Sequence, residues 1–229
     1  EVFLERIPEA GLVILQRDFP VHQEAYEAVM SEARRLKKPV LYELDDLLPE
    51  LPSDHPGAAR YLPTRLPILR PLSEVDGAIG STPVLCDYLR QFQARVQLLP
   101  NYLDDSIWQL HPPSPTPDRP ITIGYLGSSS HLADLEMIAP VLERLLQRYG
   151  AALQLRIWGL TPPDSLRSFT NTTWTQVGLV SYRQFSAFFQ EQQADLVIAP
   201  LRDNAFNRAK SAIKFLEYSA RGFPGVYSA

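Results

Sequence analysis

The chain is poor in several features that announce a function class, and each shortage excludes something. A single cysteine, Cys86, in 229 residues excludes an internal disulfide and fits a reducing compartment, so a cytoplasmic location is expected. No apolar run reaches the roughly 18 to 20 residues that a membrane-spanning helix needs. The opening EVFLERIPEAG lacks the charged-then-apolar layout of a signal peptide, so the chain reads as soluble, with peripheral membrane association left open. Basic residues number 22 against 26 acidic ones, a formal net charge of -4, which offers no electrostatic footprint for nucleic acid. An anionic ligand must therefore be met locally. A complete glycine-rich nucleotide fingerprint is missing as well.

What is present is a globular composition. Hydrophobic residues make up 45% and charged residues 21%, which argues against disorder, and 229 residues suffice for two compact domains. Proline is in excess at 21 residues, against a usual share of about 5%. Five prolines fall within residues 110–120, LHPPSPTPDRP, where they forbid helix interiors and central strands alike. This segment is expected to be a linker between an N-terminal domain, residues 1–109, and a C-terminal domain, residues 121–229.

Both halves alternate short apolar runs with amphipathic stretches. Strands are expected at residues 12–15, 40–44, 77–79 and 96–99, then at 121–126, 153–158, 174–177 and 196–199, with a last one beginning at Val226. Helices are expected at 25–37, 84–92, 132–149, 182–192 and 210–220, where apolar residues recur at three-to-four spacing. Repeated strand-helix-strand order implies α/β architecture with parallel sheets covered on both faces, hence two Rossmann-like domains.

In such sheets ligands bind beyond the carboxyl ends of the strands. Three following loops carry chemistry. The loop of Gly127, Ser128, Ser129, Ser130 and His131 precedes a helix whose free N–H groups suit a phosphate, although serines in such turns also serve as ordinary helix caps. Asp45 and Asp46 follow the strand at 40–44. They could orient sugar hydroxyls, act as a base, hold a cation or merely solvate a loop, and adjacent carboxylates need not act together. In the third, a helix opening at Lys210 would bring Lys210, Lys214 and Glu217 to one face, either as an anion site or as a salt-bridged surface helix.

The run FLEYSARGFPGVYSA resembles the donor-site signature of retaining glycosyltransferases with two Rossmann-like domains, of the glycosyl transferase family 4 or group 1 type. VLYELDDLL resembles that family's N-domain strand and acidic loop. LLPNYLDDSIW resembles its hinge segment, and ITIGYLGSSSHLADLEMIAPVLERLL resembles the opening strand, donor loop and helix of its second domain. The resemblance implies the GT-B architecture, with two sheets facing across a cleft, and a chain truncated at both ends. It further implies transfer of a sugar from a nucleoside-diphosphate donor to a glycan or other hydroxyl acceptor, without cofactor or metal.

By the same resemblance Glu217 meets the ribose. Gly127, Ser128, Ser129, His131, Asn207, Lys210, Ser211 and Lys214 surround the rest of the donor, Lys210 and Lys214 act on the departing diphosphate, and Asp45 or Asp46 faces the acceptor. Two departures stand out. Ala209 occupies the place of the signature's first glutamate, and SSSH replaces an arginine and lysine pair. The alanine admits an alternative, a non-catalytic nucleotide- or glycan-binding module of a larger protein. An unrelated doubly wound nucleotide-binding protein is a third reading.

Overall fold

A computed structural model describes residues 4–112, 119–178 and 181–228. Residues 113–118 of the expected linker lie outside the described residues. The first sheet is wholly parallel, in the order β1 (Val13–Gln16), β2 (Val40–Leu44), β3 (Gly77–Gly80) and β4 (Val96–Leu98). The second comprises β5 (Ile121–Leu126), β6 (Leu153–Trp158), β7 (Thr172–Thr175), β8 (Leu196–Ala199) and β9 (Gly225–Tyr227). It too is parallel, in the order β7-β6-β5-β8-β9. The α/β expectation with two parallel sheets is borne out. Strand β7 begins at Thr172, two residues before the expected start, because β-branched Thr172 and Thr173 already pair with Leu155 and Arg156.

The chain divides into two compact units. One takes in the described residues through Asn101 together with Asp203–Ser211; the other takes in Tyr102–Arg202 and the described residues from Ala212 onward.

In the first unit the helix Gln23–Arg35 buries Tyr26, Val29, Met30 and Ala33, a three-to-four spacing that packs it against Leu15, Val40, Tyr42 and Leu44 of the sheet. Between β2 and β3 runs a string of short helices unanticipated from the sequence. Three of them, Leu48–Glu50, Leu62–Thr64 and Arg70–Ser73, carry proline in the first turn, where a missing N–H costs nothing.

The second unit has a core on each face of its sheet. Ile123 and Tyr125 of β5 and Leu155 and Ile157 of β6 pack with Leu135, Ala139, Leu142 and Leu146 of the helix Leu132–Tyr149. Leu126, Trp158, Val197 and Ala199 face the other way, against Trp108, Phe189 and Tyr218. At the amino end of this sheet Arg119 grips Asp195 through two hydrogen bonds of 2.9 Å, and the Thr122 N–H donates to the same carboxylate at 2.7 Å. This bidentate pair ties the start of β5 to the start of β8.

The expected helix at 210–220 is corrected. Two helices occur there, Ala205–Arg208 and Ile213–Ala220, and Lys210 lies between them. The cause is the break at 209–211. The Thr82 hydroxyl donates to the Ala209 carbonyl at 2.9 Å, and Asn101 Nδ2 donates to Ser211 Oγ at 2.8 Å, interactions that hold this stretch to the first unit. Lys210, Lys214 and Glu217 therefore do not share one helical face.

Candidate functional site

The strand order of the second unit reverses at β5, which pairs with β6 on one side and β8 on the other. Such a reversal opens a crevice at the carboxyl ends of the two diverging strands. The β5–β8 ladder stops at the pair Tyr125 and Ile198. Just beyond it the hydroxyl of fully buried Tyr218 accepts from the Leu126 N–H at 3.0 Å and donates to the Ile198 carbonyl at 3.4 Å. Tyr218 thus satisfies two backbone groups that strand pairing has abandoned, and it anchors the helix Ile213–Ala220 against the switch point.

That helix presents Lys214 and Glu217. The Lys214 ammonium lies 5.4 Å from the centroid of the Tyr125 ring. Glu217 is buried, and burial pushes its carboxyl up to about 7, with Lys214 acting in the opposite direction. No described side chain hydrogen-bonds that carboxylate.

The loop after β5 packs backbone to backbone against the loop after β6. The Gly127 N–H donates to the Trp158 carbonyl at 2.9 Å. A Cβ on Gly127 would come within 2.7 Å of the Tyr125 hydroxyl, and one on Gly159, whose φ is +99, would come within 2.6 Å of the Gly127 carbonyl oxygen. Only glycine fits either place. Gly159→Ala is expected to destabilise the protein by roughly 1 to 3 kcal/mol, measurable by urea unfolding.

The anticipated serine cap is not made. Ser128 and Ser130 bond each other at 2.7 Å, Ser129 to His131 form a short turn, and the helix Leu132–Tyr149 begins with His131 at its cap and no side-chain cap bond. Its first N–H groups therefore remain without a side-chain cap. His131 Nδ1 lies 3.0 Å from Asp134 Oδ2, within hydrogen-bond distance, and the Arg202 N–H, from the loop after β8, donates to Asp134 Oδ1 at 2.9 Å. The Tyr125 hydroxyl donates to the His131 carbonyl at 3.3 Å. Lys214, His131 and Arg202 are thereby linked, through Tyr125 and Asp134, around one switch point.

In the first unit the corresponding edge holds Asp45 and Asp46. A single guanidinium engages both: Arg17 donates to Asp45 Oδ1 and, at 3.2 Å, to Asp46 Oδ2. Burial opposes the charge on Arg17, but the two carboxylates outweigh it and hold the guanidinium more firmly protonated than usual. Arg17 itself has a left-handed backbone, φ 50, and its carbonyl accepts from the Tyr42 hydroxyl at 2.6 Å. The segment Asp203–Ser211 belongs to this unit, and with it Asn207, Lys210 and Ser211. Asn207 is buried, and its N–H is capped by Asn204 Oδ1 at 2.8 Å. Lys210 lies 4.8 Å from the Phe206 ring centroid, and Ala209 and Phe206 are part of this unit's core.

The structure therefore gathers Gly127, Ser128, Ser129, His131, Lys214 and Glu217 in one unit and Asp45, Asp46, Asn207, Lys210 and Ser211 in the other. Arg17, Arg202 and Tyr218 are not singled out by the sequence, and Asp134 stands there only as a first-turn residue of its helix. Arg17 and Arg202 are the first charged residues after β1 and β8, a signal that could have marked them. Among the described residues no group of three or more His, Cys, Asp or Glu side chains is arranged to hold a metal ion. No described helix is long and apolar enough to cross a membrane.

No family model and no curated protein sequence matches the chain. Solved structures do. TarM of S. aureus, in complex with fondaparinux, alpha-GlcNAc-glycerol and UDP, superposes with a TM-score of 0.61 at 13% identity, over 93% of this chain and 41% of that one. A trehalose-6-phosphate structure from E. coli bound with UDP-2-fluoro glucose gives 0.59 at 13% identity, over 97% and 60%. Anabaena Alr3699/HepE in complex with UDP gives 0.59 at 10% identity, over 98% and 61%. The chain has the GT-B fold. It spans roughly two to three fifths of the length of these GT-B chains. At such identities the likeness concerns the fold, in which the β7-β6-β5-β8-β9 order corresponds to the Rossmann order 3-2-1-4-5.

Proposed function

We propose that this chain is part of a glycosyltransferase that moves a sugar from a nucleoside-diphosphate donor to a hydroxyl acceptor with retention of anomeric configuration. The observation that carries the reading is the buried, hydrogen-bond-poor carboxylate of Glu217 beside Lys214 at a Rossmann switch point. A desolvated carboxylate with unfilled acceptor sites suits a pair of vicinal hydroxyls such as those of ribose. Three of the structurally similar proteins are held with UDP or a UDP-sugar, which supports the donor class.

In this reading the diphosphate lies on the uncapped N-terminus of the helix Leu132–Tyr149, at Gly127, Ser128 and Ser129, with Lys214 supplying positive charge and His131 a hydrogen bond. The chemical task is to stabilise the departing diphosphate, and fixed cations with helix N–H groups do so without requiring a metal or cofactor. The Asp45 and Asp46 pair, neutralised by Arg17, serves as an acceptor-side hydrogen-bonding group rather than a free base. Calorimetric titration with UDP, GDP and ADP tests the reading: one of them is expected to bind. Lys214→Ala is expected to weaken that nucleotide at least about tenfold, the equivalent of roughly 1.4 kcal/mol. Unchanged affinity would sink the diphosphate assignment.

One observation favours a second reading, a binding module without turnover. The position of the signature's first glutamate is filled by Ala209, fully buried in the core of the first unit. Nucleotide binding without donor hydrolysis or transfer, in the full-length protein, would select this alternative.

A further inference from the structure

We infer that Asp134 is the positioning residue of the site, holding the His131 ring by its Nδ1–H so that the opposite nitrogen, as the Nε2–H of the doubly protonated ring, donates to the diphosphate of a bound nucleotide. The ligand half of this inference rests on the donor reading above; the geometric half stands on the side chains alone. Asp134 is 4% exposed and lies in the first turn of the helix Leu132–Tyr149. A buried carboxylate there would ordinarily turn to the free N–H groups of its own helix. Here it spends one oxygen on the His131 ring nitrogen and the other on the Arg202 N–H, bridging the loops that follow β5 and β8.

A carboxylate can only accept, so the proton between the two side chains belongs to Nδ1. The ring is consequently fixed in orientation and in the position of its Nδ1 proton, and an approaching phosphate, itself only an acceptor, bonds the opposite nitrogen once that nitrogen also carries a proton. The His131 side chain keeps 14% of its surface accessible while Asp134 keeps 5%, so the ring and not the carboxylate meets the ligand. The same carboxylate holds the Arg202 backbone, with Arg202 Nε at 4.0 Å, and so ties together the two loops on either side of the switch point.

The test combines spectroscopy with a double-mutant cycle. Long-range 15N–1H correlations of the His131 ring in the ligand-free wild type are expected to show a protonated Nδ1, and Asp134→Asn is expected to change the pattern. A wild-type ring protonated on Nε2 alone would overturn the inference whatever the variants do. Asp134→Asn retains an acceptor for the Arg202 N–H and is therefore the variant that keeps the fold. Titrated with whichever of UDP, GDP and ADP binds wild type, Asp134→Asn and His131→Gln are each expected to weaken binding about tenfold, in keeping with one charge-assisted hydrogen bond. The double variant is expected to be no weaker than the single ones, because Asp134 acts through His131. Additive losses would mean that Asp134 supports the fold and not the ring. If wild type binds no nucleotide at all, the donor reading and the ligand half fail together, while the ring spectrum still decides the geometric half.

Discussion

Glu217→Gln is expected to make the protein more stable at pH 8 and, in the same molecule, to weaken nucleotide binding about ten- to hundredfold, the range for losing a hydrogen bond to a charged group. The stability effect follows from burial, which raises the carboxyl from 4.5 to about 7 in the folded state. Between those values the unfolded chain releases the proton while the folded one retains it, so this group's contribution falls as pH rises from about 4.5 to 7 and is constant above. At 1.36 kcal/mol per pH unit the penalty removed at pH 8 is up to about 3 kcal/mol, and below pH 4 it vanishes. Urea unfolding of wild type and variant at pH 4 and pH 8 measures the difference. Equal shifts at both pH values would mean that desolvation is not the cause, and unaltered nucleotide affinity would remove Glu217 from the site. A residue that costs stability and serves binding is the usual signature of a functional group held in an apolar setting.

The second large effect is expected at Tyr218. Removing its side chain in Tyr218→Ala leaves a cavity beside Phe189, whose ring centroid is 5.8 Å away, and should cost about 3 to 5 kcal/mol. Against a total stability on the order of 5 to 15 kcal/mol, that is a large fraction. Tyr218→Phe separates the hydroxyl from the ring. It leaves the Leu126 N–H and the Ile198 carbonyl buried without their partner, at roughly 1 to 3 kcal/mol. Amide exchange at Leu126 should accelerate in both variants. If exchange at Leu126 in Tyr218→Phe matches wild type, the hydroxyl does not close the end of the β5–β8 ladder.

Much of the architecture was legible in the chain. Strands β2, β5, β6 and β8 and the helix Leu132–Tyr149 occur at the residues their apolar periodicity indicates, because each buries that pattern within its own unit's core. The site was legible in part. Loops that follow parallel strands can be located from strand ends alone, and Gly127, His131, Asp45 and Asp46 lie there. The partners were not legible, because Arg17 meets Asp45 across 28 positions and Arg202 meets Asp134 across 68, and no local spacing encodes such pairs.

The segment from Asn207 to Ser228 shows the division most sharply. By itself the sequence determined that a helix carrying Lys214 and Glu217 precedes a glycine- and proline-marked turn into a last strand, since apolar periodicity and turn residues act locally. Only the tertiary structure decided where that helix begins. The Ala209 carbonyl and the Ser211 hydroxyl take hydrogen bonds from Thr82 and Asn101 of the first unit, so the chain leaves helical geometry until Ile213. Lys210 and Glu217, seven positions apart, consequently belong to different compact units. The physical reason is that a helix-length stretch with modest intrinsic preference yields to long-range contacts that satisfy its backbone elsewhere.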